Sequence, residues 1–106
     1  MTETLKLPTP ATLKKYGLTE QDYTTIWISQ NGQCPICGNP LTKRTNIDHF
    51  HVKNWKKLSA DERKKYVRGI LCFFCNKYYL GKAISVKKAR KVVIYLQKFE
   101  DKINEK

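Results

Sequence analysis

The sequence predicts a small α+β domain, with helices at both ends and a short β-containing core between two cysteine pairs. Three observations lead there. All four cysteines fall in two Cys-x-x-Cys turns, Cys34–Cys37 and Cys72–Cys75. Capping residues mark short helices before and between those turns. From Val86 onward, apolar residues recur at the three-and-four spacing of an amphipathic helix. The chain has 106 residues, the length of one ordinary domain. The expected organisation is one domain over 1–106, with a flexible start at 1–8, a cysteine-pinned core at 34–80 and a terminal helix at 85–103.

Taken in order, "MTETLKL" is polar and expected to be loose. "TPATLKKYGL" then reads as one short helix: Thr9 can cap it, Pro10 suits its first position, and Gly17 suits the left-handed residue after its end. A second helix follows, capped by Thr19 with Asp22 three residues on. Leu18 and Tyr23 stand at the positions of a hydrophobic staple. Tyr23, Ile26, Trp27 and Ile28 supply its apolar face, and "QNGQ" ends it. The Thr, Ile, Phe and Val content of "KRTNIDHFHV" suggests two short β segments or a hairpin. Ser59 with Glu62 forms a capping box for "ADERKKYV". "RGILCFFCNKYYL" should enter the core and lead into a helix near the second cysteine pair, with Phe73, Phe74, Tyr78 and Tyr79 buried. Ser85 can cap the last helix, from about Val86 to Ile103. Its Val86, Ala89, Val92, Val93, Leu96, Phe99 and Ile103 form one stripe expected to be buried. Lys87, Lys88, Arg90, Lys91 and Lys98 occupy its other face. There is no internal repeat and no low-complexity segment.

Lys plus Arg number 21 against 9 acidic residues, a formal net charge of +12. Solubility does not require charge of one sign, so a polyanionic partner is the better explanation, and nucleic acid is the commonest. No stretch approaches the ~20 apolar residues of a membrane span. The start has no basic segment followed by an apolar run, as a signal peptide would. The expectation is an intracellular protein without membrane partners. Its thiols would stay reduced and bind metal more readily than they form disulfides.

Two Cys-x-x-Cys turns can wrap one tetrahedral zinc, because the two-residue spacer lets both thiolates of a turn point inward. Four buried free cysteines or a redox dithiol are the competing readings. With Cys34, Cys37, Cys72 and Cys75 filling all four positions, such a zinc would be structural, since catalytic zinc keeps an open position. The chain's two histidines, His49 and His51, are then free for other work. Asp48 adjoins His49, and Asn76 directly follows the last cysteine. Carboxylate and amide oxygens are hard ligands suited to Mg²⁺, and a neutral histidine beside such a metal is placed to be a general base. Blander readings exist for each: a core or hairpin-surface histidine, a helix-capping asparagine, and, for Arg68, a surface arginine in place of a phosphate grip.

"YGLT", Tyr23, "NGQCPICG", "IDHFH" and "VRGILCFFCN" occur in the order and with the kind of spacing of the recombination endonuclease VII family. Most of the chain resembles that family, which lies within the HNH or ββα-metal nucleases. The resemblance implies a zinc-stabilised ββα-metal core and a metal-dependent DNA endonuclease leaving 5′-phosphate and 3′-hydroxyl ends. It implies that His49 activates the attacking water. Asp48 and Asn76 would hold one Mg²⁺, for which Mn²⁺ can substitute, and the four cysteines would hold zinc. His51 would contact phosphate or support the catalytic group. DNA is the implied partner, branched or duplex, with weak sequence preference. The chain also departs from the pattern. The stretch from His51 to Arg68 is longer than in many members, and Trp55 to Val67 adds a helix. That insert could cover the zinc site or contact DNA through Lys53, Lys56, Lys57, Arg63, Lys64 and Lys65, with Arg68 as a further phosphate contact. Tyr79 stands where the family's metal site has an assisting carboxylate. Only one terminal helix maps where a dimer-forming region lies, leaving monomer and homodimer both open. The runner-up function is a zinc-stabilised DNA-binding module without catalysis, and a third is a basic zinc module for RNA or protein.

Overall fold

The structure, a computed structural model, describes residues 5–42, 44–81 and 84–104. Helix α1 spans Pro10–Lys15, with the Thr9 side chain accepting from the Thr12 amide and Pro10 opening the first turn. It ends in a Schellman closure: the Leu18 amide donates to the Leu13 carbonyl at 3.0 Å and the Gly17 amide to that of Lys14 at 3.1 Å. Gly17 takes the left-handed conformation this needs, φ 72°. Leu13 and Leu18 bury together behind it. Helix α2, Glu20–Ser29, starts from the expected capping box of Thr19 and Asp22. Asn31 and Gly32, both at positive φ, turn the chain out of it.

The first cysteine turn is closed by backbone bonds from Leu41 to Gly32 and from Cys34 to Asn39, each 2.8 Å. Strand β1 follows at Thr45–His49. A 3₁₀ turn at Trp55–Lys57 leads to helix α3, Ala60–Lys65, which has the Ser59–Glu62 capping box. Strand β2 covers Val67–Cys72, helix α4 Phe73–Tyr78 and helix α5 Val86–Asn104. Helix α4 is capped by Cys72 itself, whose sulfur accepts from the Cys75 amide at 3.4 Å. The architecture is a small α+β fold, with one two-stranded sheet and five α-helices among the described residues.

The sheet differs from the two short β segments or hairpin expected within 43–52, of which Lys43 lies outside the described residues: the stretch holds one strand. Strand β1 pairs antiparallel with the distant β2, from Thr45 opposite Cys72 to Asp48 opposite Gly69. The next pair is His49 with Val67, so Arg68 has no partner and forms a β-bulge. Composition marked β1 as a strand but carried no information about its partner. Strand β2 reads as an apolar run because Gly69, Ile70 and Leu71 are all buried.

The outer edge of β2 is met by a side chain in place of a third strand. The Gln30 amide accepts from the Ile70 N–H at 2.9 Å and donates to the Ile70 carbonyl at 2.9 Å. It thus ties the end of α2 to the middle of the sheet. A Cβ on Gly69 would come within 2.8 Å of the Gln30 oxygen, so the bare backbone there admits the clamp. The core beneath consists of Leu13, Leu18, Tyr23, Leu41, Ile47, Ile70 and Leu71, with Cys34 and Cys75.

Several expected burials do not occur. The stripe on α5 is exposed: Val86, Val92, Val93, Leu96, Phe99 and Ile103 all lie open, and Ala89 is half-buried. Amphipathic spacing identifies an apolar side and says nothing of whether another element covers it. Phe74 and Tyr78 on α4, and Tyr79 just after it, are exposed, and the rings of Phe74 and Tyr78 lie 4.7 Å apart. Phe73 is half-buried under the Arg44 guanidinium, 3.8 Å from its centroid. Ile28 points outward from α2. The flexible start expected over 1–8 covers residues 1–4, outside the described residues, and Leu5, which packs against the core.

The insert after β1 docks on the α1–α2 corner. Lys64 pairs with Asp22 at 2.8 Å, and Arg63 bonds the carbonyls of Trp55 and Lys56 at 3.1 and 2.9 Å. A Cβ on Gly17 would overlap the Ala60 carbonyl, whereas one on Gly38, also at positive φ (79°), would meet open space. Gly38→Ala is therefore expected to cost only the left-handed strain, about 1–2 kcal/mol. Gly17→Ala should cost clearly more, because it also drives α3 off the corner. Urea unfolding of the two variants checks the order.

Candidate functional site

The sulfurs of Cys34, Cys37, Cys72 and Cys75 all lie within 4.8 Å of one another. Cys37 and Cys72 are 3.7 Å apart at sulfur, far beyond a disulfide bond. A tetrahedral zinc with Zn–S near 2.3 Å sets its sulfurs about 3.8 Å apart. The cluster could therefore bind a zinc ion. Its electrostatics point the same way. Burial pushes the Cys34 thiol up, but backbone amides of Cys37, Cys72 and Ile36 aimed at its sulfur outweigh that and bring it to about 6. Burial and the neighbouring sulfurs push Cys75 strongly upward. A thiolate is thus favoured at Cys34 and disfavoured at Cys75, where a divalent cation would balance the added charge.

A second site lies beside this cluster. A cleft of about 310 Å³ is lined by Asp48, His49, His51 and Asn76, together with Tyr16, Asn46 and Leu80. Four residues singled out in the sequence thus meet in one place. Strand β1 supplies Asp48 and His49, and the chain just beyond it supplies His51. Asn76 comes from α4, one residue past Cys75. Cys72, not Asn76, caps that helix, which leaves the asparagine side chain at the cleft. Asp48 is buried, 6% exposed, the single buried charged residue among the described residues. The Asn46 Oδ1 atom lies buried with no hydrogen-bond partner among the described residues. An acidic oxygen and amide oxygens around one cleft suit a hard divalent cation.

His49 is boxed by aromatic rings. Centroids of Trp55, His51 and Tyr16 lie 4.3, 4.6 and 5.3 Å from its own. Burial in this box lowers its pKa, and the nearby His51, Arg68 and Lys15 lower it further against the opposing pull of Asp48. The neutral imidazole is accordingly favoured at neutral pH. Trp55 belongs to the insert, so the extra segment packs against the histidine. Lys53, Lys56 and Lys57 are exposed on that insert and do not line the cleft.

Arg68 is exposed at the surface, yet its side chain is engaged with the cleft wall. From its bulge position the Nε donates to Asp48 Oδ2 at 2.7 Å and the Nη2 to Oδ1 at 3.0 Å. Tyr79 is exposed and outside the cleft lining, while Leu80 is within it. Sequence reasoning missed Tyr16, Asn46 and Gln30. Asn46 had a usable signal, since it shares a strand face with Asp48 two residues on. Tyr16 and Gln30 act across the fold and carried none.

The cysteine cluster is expected to load one zinc per chain. Cys75→Ser should lose that stoichiometry, and chelation should lower Tm by at least about 10 °C; metal analysis and thermal unfolding check both. In a proton NMR titration His49 should have its midpoint below the ordinary 6.5.

Residues 10–98 match the family described as recombination endonuclease VII. The chain is 36% identical over 89 residues to the Gene 59 protein of Mycobacterium phage D29, covering 81% of this chain and 47% of that protein. It is 40% identical over 71 residues to the Gene 59 protein of Mycobacterium phage L5, covering 65% of this chain and 37% of that one. The chain therefore spans less than half the length of these curated relatives. No solved structure matches it. No helix among the described residues is long and apolar enough to cross a membrane. With that match running through both cysteine pairs and the whole cleft, the chain belongs to the recombination endonuclease VII family.

Proposed function

We propose that this protein is a divalent-metal-dependent DNA endonuclease, stabilised by a structural zinc and built on a ββα-metal (HNH) core of β1, β2 and α4. One observation carries the reading: a buried carboxylate, a histidine biased to its neutral form and an amide side chain meet in one cleft from separate segments. Family membership supports nuclease chemistry, and the net charge of +12 supports a polyanionic substrate. The phage origin of the relatives supports action on DNA inside an infected cell.

In this reading the cysteines hold Zn²⁺ and keep the β1, β2 and α4 segments in place. Asp48 and Asn76 hold one Mg²⁺, or Mn²⁺ in its stead, through hard oxygen donors. When bound, that cation supplies positive charge to the phosphate and to the departing 3′-oxygen. His49 takes a proton from the attacking water. Its lowered pKa keeps the ring able to accept at neutral pH. Tyr16 and Trp55 hold the ring's plane and keep part of it from solvent. His51, exposed at the mouth beside His49, is placed for a phosphate oxygen. Lys53, Lys56 and Lys57 draw the DNA backbone toward that mouth by charge, without reading bases.

The test uses supercoiled plasmid, linear duplex and a four-way junction, with Mg²⁺ or EDTA. Wild type should cut at least one of them only with the metal. His49→Ala should lose about 10²-fold or more in rate while keeping its fold and zinc. Absence of cutting with any divalent metal ends the nuclease reading, and equal cutting by His49→Ala removes the histidine from the mechanism.

A further inference from the structure

The bulge in β2 has one product, the side-on pairing of Arg68 with Asp48. Register steps from Asp48–Gly69 to His49–Val67. Arg68 is therefore released from the ladder, and its side chain is re-aimed across the sheet onto the carboxylate. Both carboxylate oxygens are taken, at 2.7 and 3.0 Å. The two partners are unequally placed: the Asp48 side chain is 8% exposed and that of Arg68 42%. The carboxylate is fixed in the cleft wall. The guanidinium reaches it from the solvent side on a long flexible stem.

A buried carboxylate needs a compensating charge. Arg68 and Asp48 form the only ion pair described that involves a residue lining the cleft. Two cations cannot share those oxygens comfortably. A divalent cation bound at Asp48 would repel the guanidinium now side-on to it, and it would remove the reason for the guanidinium to stay. Arginine is suited to what comes next, because its planar fork fits a phosphate as well as a carboxylate.

We propose that Arg68 is an exchangeable counter-ion: it neutralises Asp48 until a divalent cation takes the carboxylate, and the displaced guanidinium then grips a DNA phosphate. The proposal rests on the reading of Asp48 as a metal ligand. Its consequence is linkage. Because Arg68 must leave for the cation to bind, it lowers cation affinity in the free protein. DNA that captures the released guanidinium restores that affinity, and the cation raises DNA affinity by the same factor. Cation and DNA thus load together, and neither is held tightly alone.

The experiment measures Mn²⁺ affinity by the EPR signal of free Mn²⁺, on the full zinc-loaded chain. A His49→Ala background is used throughout so that an added short duplex stays intact. Arg68→Gln is expected to bind Mn²⁺ more tightly than its parent in the absence of DNA. The duplex should tighten Mn²⁺ binding by about fivefold or more in the parent, and by much less in Arg68→Gln. Arg68→Lys keeps the charge but loses the side-on fork, so it should shift in the same direction by a smaller factor. It also serves where Arg68→Gln does not fold. Unchanged or weaker Mn²⁺ binding by both variants overturns the exchange, and leaves Arg68 as a residue that positions Asp48. Undiminished coupling to DNA without Arg68 overturns the phosphate grip. Asp48→Asn separates this from the underlying reading: full Mn²⁺ affinity in that variant removes Asp48 as a ligand and overturns both.

Discussion

Four sulfurs drawn within 4.8 Å of one another impose the geometry that the remaining structure follows. Two of them belong to a turn just before β1. The others sit on the last residue of β2 and within α4. Bringing these together lays β1 alongside β2, with Thr45 opposite Cys72 at the end nearest the cluster. Asn76 follows the last cysteine, so the same pin carries it to the cleft where Asp48 and His49 lie. A chain of this size has a small core. Cys34 and Cys75 are among its most buried side chains, so the cluster lies within that core. Any zinc held there would stabilise the fold and the cleft at once.

The sheet has only two strands, and two-stranded sheets are marginal in water. Gln30 answers this by presenting an amide to both polar groups of Ile70, as a neighbouring strand's backbone would. An unmade bond at that buried residue would cost about 1–3 kcal/mol. Below the clamp the sheet departs from regularity at Arg68. The clamp at Ile70 and the bulge at Arg68 lie two residues apart along β2, one holding the strand in place and the other turning a side chain out of it. The charge chemistry of the cleft depends on that local irregularity, since a regular ladder would align Arg68 with a partner residue on β1.

Local structure was largely legible. Thr9, Thr19 and Ser59 cap their helices as their positions suggested, and Gly17 turns the chain after α1. These are bonds between residues three to five apart, so the interacting groups are visible in one short window. The residues of the cleft were legible for a different reason: a carboxylate, two histidines and an asparagine stand beside or between cysteine pairs whose spacing announces their convergence. The burial of α5 was misjudged, as was that of Phe74, Tyr78 and Tyr79. Hydrophobic character records what a surface would gain by being covered, and the cover itself belongs to another part of a structure. The pairing of β1 with β2 was not legible either, because composition marks β propensity without marking register.

The sequence by itself determined the capped helix starts, the two cysteine turns, the basic character of the chain and the short list of polar residues near β1. Those follow from side-chain chemistry and from interactions within a few residues. It did not determine where α3 ends, since Val67, read as helical, opens β2. Tertiary structure alone decided that β1 pairs with β2, that Trp55 and Tyr16 enclose His49, and that Arg68 grips Asp48. The last contact joins residues 20 apart in sequence across a bulge. No periodicity or cap signals such a contact. It exists because the shared core and the sulfur cluster bring two strands together, and one residue too many on β2 leaves an arginine free to turn toward the buried charge.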